Sequence, residues 1–132
     1  MKKYRGKYIN LWGSYEIGEG TRIGSFCDIA GKIGRNCKIQ SFVFIPEGVW
    51  IADNCFIGPG TTFTNDPNPP SGRDNWKPTI VKDGVRLGAR VTVLPGVTIG
   101  IHSFIGAGSL VCCDIPDGEV WYGSPAKFIR KV

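Results

Sequence analysis

The sequence predicts an all-β fold in which one chain coils repeatedly around a hydrophobic column, and three patterns indicate it. A branched aliphatic residue or a phenylalanine recurs every six residues, at sixteen positions in all. Three residues after most of these positions stands Gly, Asn, Asp or His, which tolerate the positive φ of a tight turn. Glycine and proline are abundant, at 19 and 9 of 132 residues, without the period of collagen. Short strands joined by corners explain a six-residue period that neither a helix nor a hairpin meander fits.

The sixteen repeat heads are predicted to point into the column. A coil cannot bury its inner face alone, so coils must stack at ~4.8 Å with each strand paired to those above and below. Three hexads make a coil, which gives about five coils. The heads are Leu11, Ile17, Ile23, Ile29, Ile33, Ile39, Ile45, Ile51, Ile57, Phe63, Val81, Leu87, Val93, Ile99, Ile105 and Val111.

The repeat is interrupted in two places. Ile29 and Ile33 are only four residues apart, and Ala30-Gly31 between them can form a tightened corner. Residues 64–78 contain four prolines, which remove backbone donors and exclude a central strand. We therefore expect 64–78 to leave the column as an excursion loop, a feature that is more often functional than idle.

After Val111 the repeat stops, and a C-terminal cap is expected. Pro116-Asp117-Gly118 predicts a turn, followed by one more strand and a short terminal segment. A bare solenoid end would expose strand edges and apolar interior. Trp121, Phe128 and Ile129 are therefore interpreted as cap packing.

Length and composition indicate a single domain, residues 1–132. The start is basic but lacks an apolar run, so neither a signal peptide nor a membrane span is expected. We therefore expect a cytoplasmic protein. The net charge of +5 would suit a phosphate-bearing ligand. Lys2, Lys3, Arg5 and Lys7 form one basic cluster, but without a groove-reading helix nucleic acid is not an expected partner.

The five cysteines do not indicate a disulfide framework or a metal site. Cys27, Cys37 and Cys55 stand in the fifth place of their hexads, where a small apolar side chain is wanted, and are predicted to be buried. Cys112 and Cys113 are adjacent, with no second pair of ligands at a suitable spacing. No metal is expected.

The repeats resemble those of the hexapeptide-repeat acyltransferases. The run Val93-Leu94-Pro95-Gly96-Val97-Thr98-Ile99-Gly100 and the ending Gly123-Ser124-Pro125-Ala126-Lys127 are similar to that family over nearly the whole chain. The resemblance implies a left-handed parallel β-helix that assembles as a homotrimer, with acetyl-CoA bound between neighbouring subunits.

A shorter match, Phe63-Thr64-Asn65-Asp66 before a proline-rich loop, is similar to the branch that N-acetylates amino sugars linked to UDP or dTDP. It implies that Asn65 and Asp66 are the catalytic pair, orienting the amino sugar and handling the amine proton, with Thr64, Trp76 and Lys77 as substrate-binding residues. Read without the resemblance, Asn-Asp-Pro is also a good turn former.

For acetyl-CoA the resemblance points to small residues late in the column and to the ending motif. Glycine and alanine there would let the cofactor lie against the strand edge, and two basic side chains would meet its phosphates. The implied cofactor residues are Gly88, Ala89, Gly106, Ala107, Ser124, Pro125, Ala126, Lys127 and Arg130.

Two other functional classes use columns of this kind. Serine, galactoside and antibiotic acetyltransferases of this fold use a histidine base, but the only histidine, His102, stands in a turn place and is interpreted as a turn residue. A neutral amine is nucleophilic enough to attack the thioester directly once it is aligned.

The alternative function is a non-catalytic trimeric β-solenoid that serves as an interaction subunit.

Overall fold

A computed structural model describes residues 5–132, so Lys2 and Lys3 of the basic cluster lie outside the described residues. The chain forms three sheets around a single hydrophobic core, as the all-β prediction requires, and all their strand pairs are parallel except the C-terminal hairpin. The one helical element of the described residues is a single 3₁₀ turn, Arg73–Asn75. Between residues 5 and 132 there is thus no helix of the length and hydrophobicity needed to cross a bilayer.

The strands are short and successive strands alternate among the three sheets. Sheet 1 consists of β1 (Asn10–Leu11), β4 (Asp28–Ile29), β7 (Phe44–Ile45), β10 (Thr62–Phe63), β13 (Thr92–Val93) and β16 (Leu110–Val111). Sheet 2 consists of β2 (Glu16–Ile17), β5 (Lys32–Ile33), β8 (Val49–Ile51), β11 (Thr79–Val81) and β14 (Thr98–Ile99). Sheet 3 consists of β3 (Arg22–Ile23), β6 (Lys38–Ile39), β9 (Phe56–Ile57), β12 (Arg86–Leu87), β15 (Phe104–Ile105), β17 (Glu119–Gly123) and β18 (Ala126–Lys131).

The repeat heads form the core. Each is the last residue of its strand, and fourteen of the sixteen are buried. Leu11 and Ile17, in the first coil, are partly buried against the same cluster. Cys27, Cys37 and Cys55 are buried beside the heads as free thiols, which confirms their packing role.

Five coils are complete, from β1–β3 to β13–β15, and a sixth is partial. In the sixth, β16 and β17 supply two sides, and a bridge between Ile99 and Ile115 supplies the third. The structure therefore has about six turns where the sequence predicted about five, because the residues after Val111 continue the coil without an intact hexapeptide pattern.

The corners between sheets are stacked in three columns. The loop corner joins sheet 1 to sheet 2 and includes Gly13, Gly48 and Gly96. The histidine corner joins sheet 2 to sheet 3 and holds Gly20, Asn36, Asn54, Gly84, His102 and Gly118. The arginine corner joins sheet 3 to sheet 1 and holds Tyr8, Phe26, Phe42, Gly60, Arg90 and Gly108. All of these residues have positive φ.

Both interruptions of the repeat lie at the loop corner. Ala30-Gly31 makes a tight turn in which a Cβ on Gly31 would lie 2.6 Å from the Val49 carbonyl oxygen, so glycine is required. Residues 64–78 leave the column between β10 and β11, as predicted.

The C-terminal cap is a hairpin, β17–β18, that extends sheet 3. Trp121 lies above Ile105 and packs partly buried on the core, with the Phe128 ring 6.5 Å away. Phe128 and Ile129 are 50% and 48% exposed, so of these two only Phe128, through its ring contact with Trp121, takes part in the predicted cap packing. β18 is the edge strand of sheet 3 and extends that sheet. It does not fold over the end of the column.

Candidate functional site

The residues assigned to acetyl-CoA gather at the upper end of the arginine corner. Gly88 and Ala89 follow β12, and Gly106 and Ala107 take the same places after β15. The hairpin β17–β18 carries the remaining residues of the set and lies directly above β15. The column therefore brings these residues to one end of one corner, except Arg130, which lies opposite Val120 farther along the hairpin.

Two unused backbone N–H groups lie at this end of the corner; lower down, the Ser41 N–H below Pro59 also has no acceptor within residues 5–132. In the lower coils the Lys7 N–H donates to Ser25 Oγ at 3.0 Å, and the Ser25 N–H donates to Ser41 Oγ at 3.2 Å. Ala89 and Ala107 occupy the equivalent places in the higher coils, and no serine hydroxyl lies at the matching place in the coil above either of them. Within residues 5–132 neither alanine N–H has an acceptor, so both are free to pair with a carbonyl of an extended ligand.

Glycine at 88 and 106 is required by the packing of the column itself. A Cβ on Gly88 would lie 2.7 Å from the Ala107 nitrogen, and a Cβ on Gly106 would overlap the Tyr122 ring. The two glycines thus let the next coil and the hairpin approach closely enough to form this end of the corner.

The hairpin turn contains Ser124 and Pro125, both exposed, followed by the buried Ala126. It is tied to coil five because the Gly123 N–H donates to Ser109 Oγ at 3.0 Å, and that hydroxyl donates to the Gly106 carbonyl at 2.7 Å. Lys127 and Arg130 are exposed on β18, opposite Tyr122 and Val120. Lys127 places a positive charge beside the turn, whereas Arg130 lies toward the other end of the hairpin.

The excursion loop is anchored at the loop corner. Thr64 Oγ1 donates to the Val93 carbonyl at 2.8 Å, and Asn65 Nδ2 donates to the Glu47 carbonyl at 2.8 Å. The Asn65 carbonyl accepts from the Lys77 N–H at 2.9 Å, which closes the base of the loop. Asn65 is therefore fixed in position, and its side-chain Oδ1 accepts no hydrogen bond from any described residue.

Asp66 organises the proline-rich part of the loop. Its carboxylate accepts from the backbone N–H of Asn68 at 3.0 Å and of Ser71 at 2.8 Å, and from the Ser71 hydroxyl. The side-chain hydrogen bond from Ser71 is the main cause that lowers the pKa of Asp66 below its usual value. The turn-forming interpretation of Asp66 is thus visible in the structure, and the carboxylate is held in its ionised form.

The far half of the loop folds back on the same corner. The Arg73 guanidinium donates to Glu47 Oε1 at 2.8 Å and lies over the Trp76 ring at 4.9 Å. The aliphatic part of Lys77 passes above Gly96, with its Cδ 3.4 Å from the place a Cβ would take there. Trp76 is half-buried, and Lys77 is exposed.

Within one chain the two sets of predicted residues do not meet. Asn65 and Asp66 lie at the loop corner, whereas Ala89 and Ala107 lie at the arginine corner, across the width of sheet 1. The six residue-to-residue steps from Arg90 to Gly96 span that width, at most ~20 Å. A site that uses both sets requires the loop corner of one copy and the arginine corner of another.

His102 lies at the third corner. Its φ is +59°, and its ring covers Gly84 in the coil below. It faces Asn54 and Arg86 across a shallow cleft of about 470 Å³, away from both the loop and the free N–H groups. The structure therefore places His102 at a turn, with neither set of predicted site residues beside it.

Two residues at the site were not assigned from the sequence. Glu47 holds two points of the loop. Its carbonyl binds Asn65 and its carboxylate binds Arg73, which lie 18 and 26 positions away in the chain. No local pattern indicates such a contact. Arg90 has a φ of +55° at the arginine corner. Its sequence signal was that, among the turn places of residues 87–114, it alone is not Gly, His or Asp.

The chain matches two family models. Residues 31–65 match "Bacterial transferase hexapeptide (six repeats)", and residues 78–113 match "Hexapeptide repeat of succinyl-transferase". The gap between the two matches corresponds to the excursion loop. Both families are defined by the repeat seen in the structure.

Named relatives and one solved structure agree with this assignment. The chain is 31% identical to the bifunctional protein GlmU of Rubrobacter xylanophilus over 85% of its length and 23% of that protein. It is 40% identical to galactoside O-acetyltransferase of Lactococcus lactis over 64% of its length and 44% of that protein. The chain thus spans less than half the length of these two relatives.

A crystal structure of a histidine-to-asparagine mutant of perosamine N-acetyltransferase from Caulobacter crescentus, in complex with CoA and GDP-perosamine, has the same fold. The TM-score is 0.81 at 26% identity, over 93% of this chain and 54% of that one. Repeat families, relatives and fold agree, and the chain belongs to the hexapeptide-repeat acyltransferase superfamily.

Proposed function

We propose that the chain is an acetyl-CoA-dependent N-acetyltransferase that acts on the amino group of a nucleotide-linked amino sugar, with dTDP or UDP as the nucleotide. The observation that carries the proposal is the fold match to perosamine N-acetyltransferase, whose complex contains CoA and GDP-perosamine. The Asn65–Asp66 loop and the free N–H groups of Ala89 and Ala107 would give the two substrates separate places to bind.

The proposed reaction is direct attack of the neutral amine on the thioester carbonyl. The free N–H groups at the arginine corner would hold the amide-bearing arm of acetyl-CoA in an extended form. The unused Oδ1 of Asn65 would accept a hydrogen bond from the amine and align it. Nitrogen bonds to the acetyl carbon as the C–S bond breaks, and the amine proton leaves through water to the departing thiolate.

Asp66 is assigned a supporting part in this mechanism. A carboxylate whose pKa lies below its usual value is a weak base at neutral pH. Its hydrogen bonds to the loop support the proposal that it positions Asn65, and its negative charge favours the approach of the substrate ammonium.

A homotrimer would assemble the site. If sheet 1 of each copy faces a threefold axis, the loop corner of one copy meets the arginine corner of the next. The outward side chains of the four upper strands of sheet 1 fit such a contact, since Phe44 is 38% exposed and Thr62, Thr92 and Leu110 are uncharged; Asp28, lower in the sheet, is charged. Light scattering should give about three times the chain mass of 14.4 kDa. A monomer at assay concentration would exclude the shared site.

The relatives at 40% identity support one competing function, O-acetylation of a galactoside. That chemistry needs a base to activate a hydroxyl, and His102 lies at a different corner from both sets of site residues. We therefore place N-acetylation first. We also propose a cytoplasmic location, since all five thiols are unpaired.

The test is a panel of UDP-, dTDP- and GDP-linked 3-amino and 4-amino sugars, assayed with acetyl-CoA and a thiol reagent. At least one acceptor should release CoA, and Asn65→Ala should lower kcat/KM for it by roughly 5- to 150-fold, the equivalent of one buried hydrogen bond of about 1–3 kcal/mol. No turnover on any acceptor, together with no binding of CoA in calorimetry, would favour the non-catalytic interaction subunit.

A further inference from the structure

A stack of exposed aromatic rings runs along the lower half of the arginine corner. Tyr8, Phe26 and Phe42 lie one above another, with ring centroids 5.3 and 5.2 Å apart. Their exposed fractions are 76%, 53% and 63%, and their φ angles are +60°, +61° and +64°. A bulky side chain is strained at positive φ, and an exposed ring gains little from folding. Three such residues in succession indicate a binding role.

The upper face of the stack, on Phe42, is open. The Phe26 ring is covered by Tyr8 below and by Phe42 above, but the next residue up the corner is Gly60, which has no side chain. A Cβ built on Gly60 would have Arg90 Cγ at 3.1 Å and no atom of Phe42 within 4 Å. Phe42 and Arg90 are two coils apart, ~10 Å at the backbone, and the space between them at Gly60 is bounded by the Phe42 ring below and the Arg90 side chain above.

The roof of this gap is positively charged. The Arg90 side chain is exposed, and no carboxylate of residues 5–132 forms an ion pair with it. A planar guanidinium stacks on aromatic rings and also binds phosphate. The gap therefore suits a flat aromatic group that carries negative charge. A simple anion would gain nothing from the apolar Phe42 ring, so the site should prefer the aromatic ligand.

We propose that Phe42, Gly60 and Arg90 form the binding site for the base and the diphosphate of a nucleotide. The base stacks on the open face of Phe42, and Arg90 binds the diphosphate. This assignment rests on the proposed function and names the part of the acceptor that is recognised. It also fixes the order of the two substrates along the corner. The sugar would extend upward from Arg90 toward Ala89 and Ala107, where the proposed function places the thioester.

Titration with dTDP, UDP and GDP by calorimetry tests the proposal. Phe42→Gly removes the floor and relieves the positive φ, so the fold should be kept while the Kd of the preferred nucleotide rises about 5- to 150-fold, the usual range for one stacked base. Phe26→Gly is the matched control, because it removes an equivalent ring from the same corner and leaves the open face. Its Kd should change by less than about threefold.

A second variant fills the gap. Gly60→Asn should be tolerated, since Asn36 and Asn54 occupy corner places with φ of +56° and +60°. It should weaken nucleotide binding without changing the affinity for acetyl-CoA. Nucleotide affinities that are unchanged in both Phe42→Gly and Gly60→Asn would overturn the inference.

Three other outcomes separate the possible failures. If the wild-type protein acetylates an amino sugar but Phe42→Gly keeps the wild-type KM for it, the proposed function stands and the stacking site is wrong. If Phe42→Gly changes only the mass in light scattering, the aromatic stack is a contact between copies of the chain. If the wild-type protein neither binds a nucleotide nor acetylates any acceptor, both proposals fail.

Discussion

Replacing Ala107 by proline removes one free N–H group from the proposed cofactor site and leaves the corner intact. Pro59 occupies the same place in the same corner two coils below, preceded by Gly58 as Ala107 is preceded by Gly106. Proline at this place fixes the φ that the turn already needs. The Ala107 N–H has no acceptor within residues 5–132, so no bond of the fold is lost. Folding stability should stay unchanged or rise by about 0.4–1 kcal/mol.

Binding of acetyl-CoA should weaken, because a ligand carbonyl loses its donor. A buried acceptor left without a partner costs about 1–3 kcal/mol, or roughly 5- to 150-fold in Kd. Calorimetry with acetyl-CoA measures the affinity, and a thermal melt measures stability. Ala107→Ser is the matched control, since it keeps the N–H and restores the residue type found in the lower coils at Ser25 and Ser41. A folded Ala107→Pro protein that binds acetyl-CoA as tightly as the wild type would refute the assignment.

Further predictions concern Asp66, His102 and Phe63. Asp66→Asn should lower kcat by a similar factor at every pH from about 6 to 9, because the hydrogen bonds that lower the pKa of Asp66 keep it ionised over that range. A loss of kcat that recovers as the pH rises would instead indicate a role in proton transfer. In the wild type, loop order measured by hydrogen exchange should be fully kept above the ordinary pKa of an aspartate, about 3.9, and be lost as pH falls through the lower pKa of the folded state. His102→Ala should keep most activity, and a thousand-fold fall in kcat with the fold intact would make His102 the base. Phe63→Ala should destabilise the protein by about 3–5 kcal/mol in chemical denaturation, because the ring is fully buried where the loop begins; a loss below about 1 kcal/mol would contradict that packing.

The column itself was predictable from the sequence because each coil repeats one local rule. An inward aliphatic side chain and a residue that tolerates positive φ recur in nearly every hexad, and burial of Ile57 or Leu87 follows from that register. The excursion loop followed from its prolines. These features depend on residues that are close together in the chain.

The site was less predictable because it depends on which residues become neighbours once the coils stack. Ser25 and Ser41 satisfy the N–H groups below them, and the absence of such a hydroxyl above Ala89 is visible only after the coils are aligned. The anchor at Glu47 and the ring stack on Phe42 also join residues that are a whole coil apart. A local pattern carries no information about such pairs.

The identity of the acetylated atom tests the central proposal most directly. The best acceptor of the nucleotide-sugar panel should be converted on a preparative scale with acetyl-CoA, and the product examined by NMR. The mechanism predicts an amide on the sugar nitrogen, with one CoA released per acetyl group transferred. An ester on a sugar hydroxyl, or efficient acetylation of a galactoside that has no amine, would contradict it.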